Sequence, residues 1–508
     1  MSTKKVKTSV LEYTYFDNNA TVPMFSDAIK SYASVAGCGN PSSANPVASY
    51  WRGKANEFEA MLREGYGASE SSHELIWTSG STESNCTIVN MFTVNADGPR
   101  IIVCTTIEHK CLLEAVRQAE EHGTIVRWIE PMIDCTVDPL DIQDTLISLD
   151  SEYPGVKTLV CCMHANNETG AINDIAAIAN VVDQFRGDRD IFLYTDCAQT
   201  AGKIPLSMTS IVHEDVAPLL LKMDTKLCVR VPCPDDQKKC KYVQLMKSLN
   251  GSLVSELNNY VHLGTITVAS IDPTTKETVL FTVRTKLLVD GLCFSGHKVG
   301  GPTGIGILLV SRPFLENRSF VPITGAQNFG LRGGTYNMSG IIGLRESYIH
   351  CLVGHDNIMN MCKQGRAYIL QTLANNGIDV IKYSDYITDP ESVGPKALVY
   401  FQTGDLAMTL PGTLFCSIVY NNCSMQVCNV KLKSFFESRN IIVSIGSACN
   451  SAGSNISHVL KALGCPKMVA LGILRISAYA NGPDDYKKMA RALLEAYQEI
   501  ERLCIMKK

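Results

Sequence analysis

Short, nearly continuous apolar runs recur through the first 200 residues: "ELIWTSG" (74–80), "RIIVCTT" (100–106), "IVRWIEP" (125–131), "KTLVCCMHA" (157–165) and "DIFLYTDCA" (190–198). Each is too short for a helix and shows little alternation, as strands buried on both faces do. Between them lie stretches with helical spacing of apolar residues: "ESNCTIVNMF" (83–92), "CLLEAVRQAEEHG" (111–123) and "DIAAIANVVDQF" (174–185). Strand and helix patterns alternating at this spacing predict an α/β domain around a mainly parallel sheet.

The rhythm breaks at about residues 207–287, which reads as an insertion. Within it, "GTITVASIDPTTKETVLFTVRT" alternates on both sides of "DPTTK" and predicts a β-hairpin. After residue 345, helical patterns near 345–375 and 484–504 enclose the strand-like pieces "KALVYFQ", "TLFCSIVYN", "NIIVSIGSA" and "GILRISAYA". The expected division is a large domain over 1–345 and a smaller α+β domain over 346–508. Segment 1–25 is expected to pack with the small domain, and a second, shorter expansion is expected around 402–425.

The 508 residues are 45% hydrophobic and 19% charged, enough apolar content for large cores, with a formal charge of −4 and no long basic run. That argues against direct nucleic-acid binding or a membrane-surface role. No run of some 18 apolar residues appears, so no membrane span is expected. The N-terminus carries lysines without an apolar core or Arg-rich amphipathic pattern, so the chain is expected in the cytoplasm. There the 20 cysteines read as free thiols, with Cys161 and Cys162 in the core. Cys228, Cys233 and Cys240 have irregular spacing, no CxxC and no evident fourth ligand, so no metal site is expected.

Three motifs carry candidate chemistry. In "WTSGSTESNCTIV" a strand runs through Gly80 into Ser81, Thr82 and a helix. That is either a phosphate cradle at a helix N-terminus or an ordinary capping turn. In "IFLYTDCAQTAGK" Asp196 ends a strand, as a helix cap or as the partner of a cationic ring nitrogen. In "VDGLCFSGHKVGGPTG" Lys298 sits among small residues, either solvated at a turn or held as a nucleophilic amine. A fourth stretch, "SIGSACNSAGSN" (444–455), places Cys449 in a polar loop where a thiol has no core to fill.

Together with "YFDNNATVPM", "GNPSSAN", "IEHKCLLEA", "MHANNETGAINDI" and "LRGGTYNMSGIIG", these stretches follow one another as in a known family. The chain resembles NifS/IscS-like cysteine desulfurases, in the class-V aminotransferase group of fold-type-I pyridoxal-phosphate (PLP) enzymes. The resemblance runs from about Tyr13 to residue 500, the insertion apart. It implies a large domain with a mainly parallel, seven-stranded-type sheet and a smaller C-terminal domain. It implies that Lys298 carries PLP and that Asp196 pairs with the pyridine nitrogen. His109 stacks on the ring and shuttles protons, while Asn167 and Gln199 hold the ring oxygen. Ser81, Thr82, Ser295 and His297 bind the phosphate, and Thr335 reaches the phosphate of the other subunit of a homodimer. Arg475 clamps the carboxylate of the substrate, L-cysteine, with Asn40 nearby. Cys449 takes the sulfur as a persulfide and passes it to an acceptor protein, for iron–sulfur cluster assembly or tRNA thiolation.

Two other readings stay open at this level: a selenocysteine lyase or related PLP lyase, and a PLP-fold scaffold without useful turnover. The chain departs from the family pattern at Thr303 and Ala480, where basic residues are common, and in the separation of 102 residues between Asp196 and Lys298 (298 − 196).

Overall fold

The computed structural model describes residues 13–35, 37, 39–187, 189–211, 226–233, 236–244, 257, 266–271, 274–275, 278–283, 285–401, 408–421, 427–445 and 456–505. The chain opens with β1 (Thr14–Tyr15), α1 (Ser26–Ser34) and α2 (Pro46–Gly65). The apolar runs follow as β2 (His73–Thr78), β3 (Arg100–Thr105), β4 (Ile125–Ile129), β5 (Lys157–Cys161) and β6 (Ile191–Asp196). Between them stand α3 (Ser81–Thr93), α4 (Lys110–Glu121), α5 (Pro139–Glu152) and α6 (Ile175–Arg186).

The chain then leaves the large sheet. It forms β7 (Thr209–Ile211), β8 (Lys226–Cys233), β9 (Asp236–Gln244), β10 (Ile266–Ile271), β11 (Thr278–Val283) and β12 (Thr285–Leu287) before β13 (Gly291–Ser295) and β14 (Gly306–Ser311) complete the sheet. The seven strands lie in the order β2-β14-β13-β6-β5-β3-β4. All neighbours are parallel except β14, which runs antiparallel to β2 and β13. The link between β13 and β14, residues 296–305, is shorter than the crossover of about a dozen residues that a parallel return needs. The α/β architecture with a mainly parallel sheet is therefore as expected, and one short link accounts for its exception.

Apolar side chains cover both faces of the sheet. Ile76, Ile102, Leu159, Phe192 and Leu308 pack with Ile88, Phe92, Leu112 and Val116 of α3 and α4. Leu75, Ile101, Val103, Val160, Leu193 and Leu292 pack on the other side with Phe58, Leu62, Ile178 and Val182. Burial on both faces removes the polar half of the usual alternation.

The inserted strands form their own antiparallel sheet, β11-β10-β8-β9. The residues around "DPTTK" join β10 to β11 with Ile271 opposite Thr278. At the base, β7 and β12 pair antiparallel, with Ile211 opposite Thr285 and Thr209 opposite Leu287. The chain thus departs from and returns to the same point.

A second sheet comprises β15 (Asp379–Lys382), β16 (Lys396–Phe401), β17 (Thr413–Tyr420) and, beyond the short β18 (Ile441–Ile442), β19 (Ile473–Ser477). Its order is β15-β16-β17-β19. β1 pairs with β18, and Asp17 bridges to Ser477, so the start of the described chain lies against this sheet. The division expected at residue 345 falls inside the 38-residue helix Met338–Asn375. Gly343 of this helix packs on Pro302, in the link between β13 and β14, whereas Gly365 packs on Tyr486 of the C-terminal helix. A helix satisfies its own backbone, so it runs from the large sheet's helices to the C-terminal helix without a linker. Most described cysteines are free thiols, but Cys504 is disulfide-bonded, which departs from the all-thiol expectation.

Candidate active site

The carboxyl ends of β2, β6 and β13 meet at one cavity of about 280 Å³. Its lining includes Ser81, Thr82, His109, Asn167, Asp196, Gln199, Ser295, His297 and Lys298, so nine of the residues singled out from the sequence converge there. An open sheet directs strand-end residues to such a crevice.

At the end of β2 the chain passes through Gly80 at φ 148° into the N-terminus of α3. The backbone N–H of Ser81 donates to Ser295 Oγ at 2.7 Å, and the Ser295 hydroxyl donates to Ser81 Oγ at 3.0 Å. A Cβ on Gly306 would stand 2.6 Å from Gly80 Cα, so β14 can lie this close to the turn only with glycine there. Hydroxyls and N–H groups at a helix N-terminus suit an anion.

Asp196 is 3% exposed. Its Oδ2 accepts from Asn85 Nδ2 at 2.9 Å and its Oδ1 from the Ala198 N–H at 2.8 Å. Both donors are neutral. A buried carboxylate with no cation paired to it is costly, and the cavity beside it offers room for a cationic partner.

Lys298 lies on the 3₁₀ turn Gly296–Val299 that follows β13. Its Nζ donates to the carbonyls of Asn19 at 2.5 Å and Ala20 at 2.9 Å. Burial, followed by the charges of Arg475 and Lys203, pushes its amine down to about 8. Beside it, burial and then the Lys298 charge push His297 down to about 4. His109 caps α4, with Nδ1 accepting the Cys111 N–H at 3.3 Å. Restricted solvation holds its imidazole below the ordinary value, against the pull of Asp196. Gln199 donates to the Asn19 carbonyl at 3.1 Å, while its buried Oε1 has no hydrogen-bond partner.

Three expected residues are not in the cavity lining. Thr335 is exposed on the 331–337 segment. Asn40 is exposed, and its Oδ1 accepts the Ser42 N–H at 2.9 Å, closing a local turn. Arg475, on β19, donates Nη1 to the Asn167 carbonyl at 2.9 Å and pairs through Nη2 with Asp17 Oδ1 at 2.7 Å. Its Nε is buried without a partner. Cys449 and the Cys228, Cys233 and Cys240 side chains lie outside the described residues. Among the described residues, no three His, Cys, Asp or Glu side chains converge as a metal site.

Two residues central to the site had no individual place in the sequence reading. Asn19, 5% exposed, accepts from Lys298 and Gln199 through its carbonyl and donates to Thr413 Oγ1 at 2.9 Å. Asn85, fully buried, holds Asp196. The consecutive polar residues of "DNNA" (17–20) were the available signal for the first. A lone Asn at helical spacing gave none for the second.

These groups fit PLP on the structure's own terms. An anion cradle, a buried carboxylate lacking a cation, an orphaned Gln199 oxygen and an amine held only by carbonyls surround one space. They match a phosphate, a pyridinium nitrogen, a ring hydroxyl and an aldehyde respectively.

The family model for aminotransferase class-V matches residues 14–212 and 282–393, skipping the inserted sheet. A relative, the cysteine desulfurase IscS of Pseudomonas entomophila (strain L48), is 25% identical over 472 residues, covering 91% of this chain and 87% of that protein. Among solved structures, a NifS-like protein superposes with a TM-score of 0.66 at 21% identity, covering 96% of this chain and 99% of that one. The apo structure of a cysteine desulfurase from Thermococcus onnurineus NA1 gives 0.63 at 17% identity, covering 96% and 95%.

Proposed function

Because the chain belongs to the class-V aminotransferase family, we propose that it is a PLP-dependent cysteine desulfurase that converts L-cysteine to L-alanine and keeps the sulfur as a persulfide on Cys449. The observation that carries this reading is the meeting of Lys298, with its lowered pKa, and the cation-less Asp196 in one cavity beside the Ser81–Ser295 cradle. The similarity to enzymes named cysteine desulfurase supports the choice of reaction within the family.

Lys298, Asp196, Gln199, Asn167, Ser81, Thr82, Ser295 and His297 would hold PLP, with His109 against the ring. When bound, PLP supplies an electron sink that makes the substrate Cα proton removable. Lys298 Nζ, part-neutral near pH 8, takes that proton. Arg475 binds the substrate carboxylate through its guanidinium. Its side chain must then share or exchange its bond to Asp17. The Cys449 thiolate attacks the substrate sulfur. An S–S bond forms, and the C–S bond breaks with its electron pair going to the substrate carbon, which gains a proton. The sum is cysteine plus thiol giving alanine plus persulfide. Thr335, exposed and outside its own cavity, would serve the phosphate of the other subunit of a homodimer. The persulfide then goes to an acceptor protein, for iron–sulfur cluster assembly or tRNA thiolation.

The test is alanine and sulfide release from L-cysteine with reductant, wild type against Cys449→Ala. Wild type releases both. The variant keeps its PLP absorbance and loses turnover. A wild-type protein that binds PLP, stays silent with cysteine and turns over selenocysteine would overturn the proposal.

A further inference from the structure

Beneath the cavity, Asn85 has every amide hydrogen and lone pair engaged. Nδ2 donates to Asp196 Oδ2 at 2.9 Å and to Cys111 Sγ at 3.3 Å. Oδ1 accepts from the Tyr194 hydroxyl at 2.6 Å and from the Cys293 thiol at 3.6 Å. The carboxylate oxygen only accepts, so the amide cannot be flipped.

Cys111 Sγ in turn lies 3.0 Å from His109 Nδ1. The backbone N–H of Cys111 points to the same nitrogen at 3.3 Å. A backbone N–H only donates, so Nδ1 of the neutral ring must be the acceptor and the ring hydrogen sits on Nε2. The thiol hydrogen is then directed at Nδ1, while the sulfur lone pair receives Asn85. Burial pushes the Cys111 thiol up to about 11, so it keeps its hydrogen at neutral pH.

We propose that Cys111 is a positioning residue. Its thiol joins His109 to the Asn85–Asp196 pair and holds the imidazole in the Nε2–H form. The inference rests on the reading of His109 and Asp196 as the groups that face the cofactor ring, although the hydrogen-bond chain itself is present without it. A serine hydroxyl can make the same two bonds; alanine can make neither.

Among the described residues, the charged and titratable groups that face His109 are Asp196 at the end of β6, Lys298 on the 3₁₀ turn, His458 from the helix His458–Ala462 and Lys110 on its own helix. None of them changes in a Cys111 variant. Losing the thiol removes one hydrogen bond from the neutral ring only, so His109 binds a proton more readily.

The experiment follows the ¹⁵N shifts of His109 against pH in histidine-labelled wild type, Cys111→Ala and Cys111→Ser, each with and without PLP. His109→Gln assigns the signals. The wild type is expected in the Nε2–H form. Cys111→Ala raises the His109 midpoint by roughly half to one pH unit, and Cys111→Ser restores it. An Nδ1–H form in the wild type, which needs no variant to observe, overturns the proposal. So does an alanine variant that titrates like wild type. If no protein takes up PLP, the cofactor reading fails, and the titration of the PLP-free protein still decides the role of Cys111.

Discussion

The amine of Lys298 offers a direct check on the electrostatics of the site. With its pKa near 8, about a quarter of the amine is neutral at pH 7.5, against about 0.1% for an ordinary lysine. That is roughly 200-fold more nucleophile for reaction with an aldehyde. The cause named first is burial, then Arg475, then Lys203. Lys203 is itself 7% exposed, with Nζ 5.4 Å from the Tyr479 ring centroid. Lys203→Met keeps that apolar contact and removes only the charge. It is expected to raise the Lys298 pKa by less than about one unit, because burial and Arg475 remain. The assay is the rate of PLP uptake by the apo protein as a function of pH, read from absorbance. Wild type should level off just above pH 8, and Lys203→Met at higher pH with a several-fold slower rate at pH 7.5. A wild-type rate that still climbs steadily beyond pH 9.5 would refute the argument, since the amine would then be an ordinary lysine.

Two further outcomes follow from buried polar contacts. Asn85→Ala strips one hydrogen bond each from Asp196 and the buried Tyr194 hydroxyl. At about 1–3 kcal/mol per unsatisfied group, it should cost roughly 2–6 kcal/mol, measured as a lower urea midpoint at constant slope. Arg332 donates to Glu83 through Nε at 2.8 Å and Nη2 at 3.3 Å, tying the Thr335 segment to the cradle helix. A double-mutant cycle over Glu83→Gln and Arg332→Met should give a coupling of about 1 kcal/mol. Burial alone would raise the Glu83 carboxyl, but Arg332 and Ser79 overcome it and hold it lowered. The contribution is therefore present above the ordinary glutamate pKa and lost as pH falls through the lower folded value. A coupling that stays constant through that acid range would sink the assignment.

How much of this was legible in the sequence depends on whether a residue's role leaves a local pattern. The strands at 73–78, 100–105, 157–161 and 191–196 did, because burial on both faces writes itself as an apolar run. Asp196 and Lys298 did too, since each stands where an apolar run ends in small residues. The antiparallel course of β14 followed from loop length, which the strand pattern does not record. Asn19 and Asn85 act through one carbonyl and one amide brought together from sequence separations of 279 and 111 residues. No window of sequence contains both partners, so their roles emerged only from the fold. Arg475 lies outside the cavity lining, and its ion pair with Asp17 joins residues 458 positions apart and had no local trace. The resemblance expects Asn40 near the substrate, and here its Oδ1 closes a local turn with the Ser42 N–H.

The inserted sheet can be tested by excision. Ile211 and Thr285 are cross-strand partners at its base, so their Cα atoms already lie within bonding distance of a tight hairpin. A two-residue Asn-Gly turn in place of residues 212–284 would close β7 onto β12 without moving either. The family match also stops at 212 and resumes at 282, so the excised stretch lies almost wholly between the two matched segments. Loop-closure entropy grows only logarithmically with length, so shortening this connection should change stability by no more than about 2–4 kcal/mol, in the favourable direction. The excised protein is therefore expected to unfold cooperatively, bind PLP with an unchanged absorbance spectrum and retain cysteine turnover with reductant. Loss of PLP binding in a folded protein would mean that the insertion supports the cavity from outside. Intact chemistry combined with lost delivery to an acceptor protein would instead place the insertion's work after the persulfide has formed.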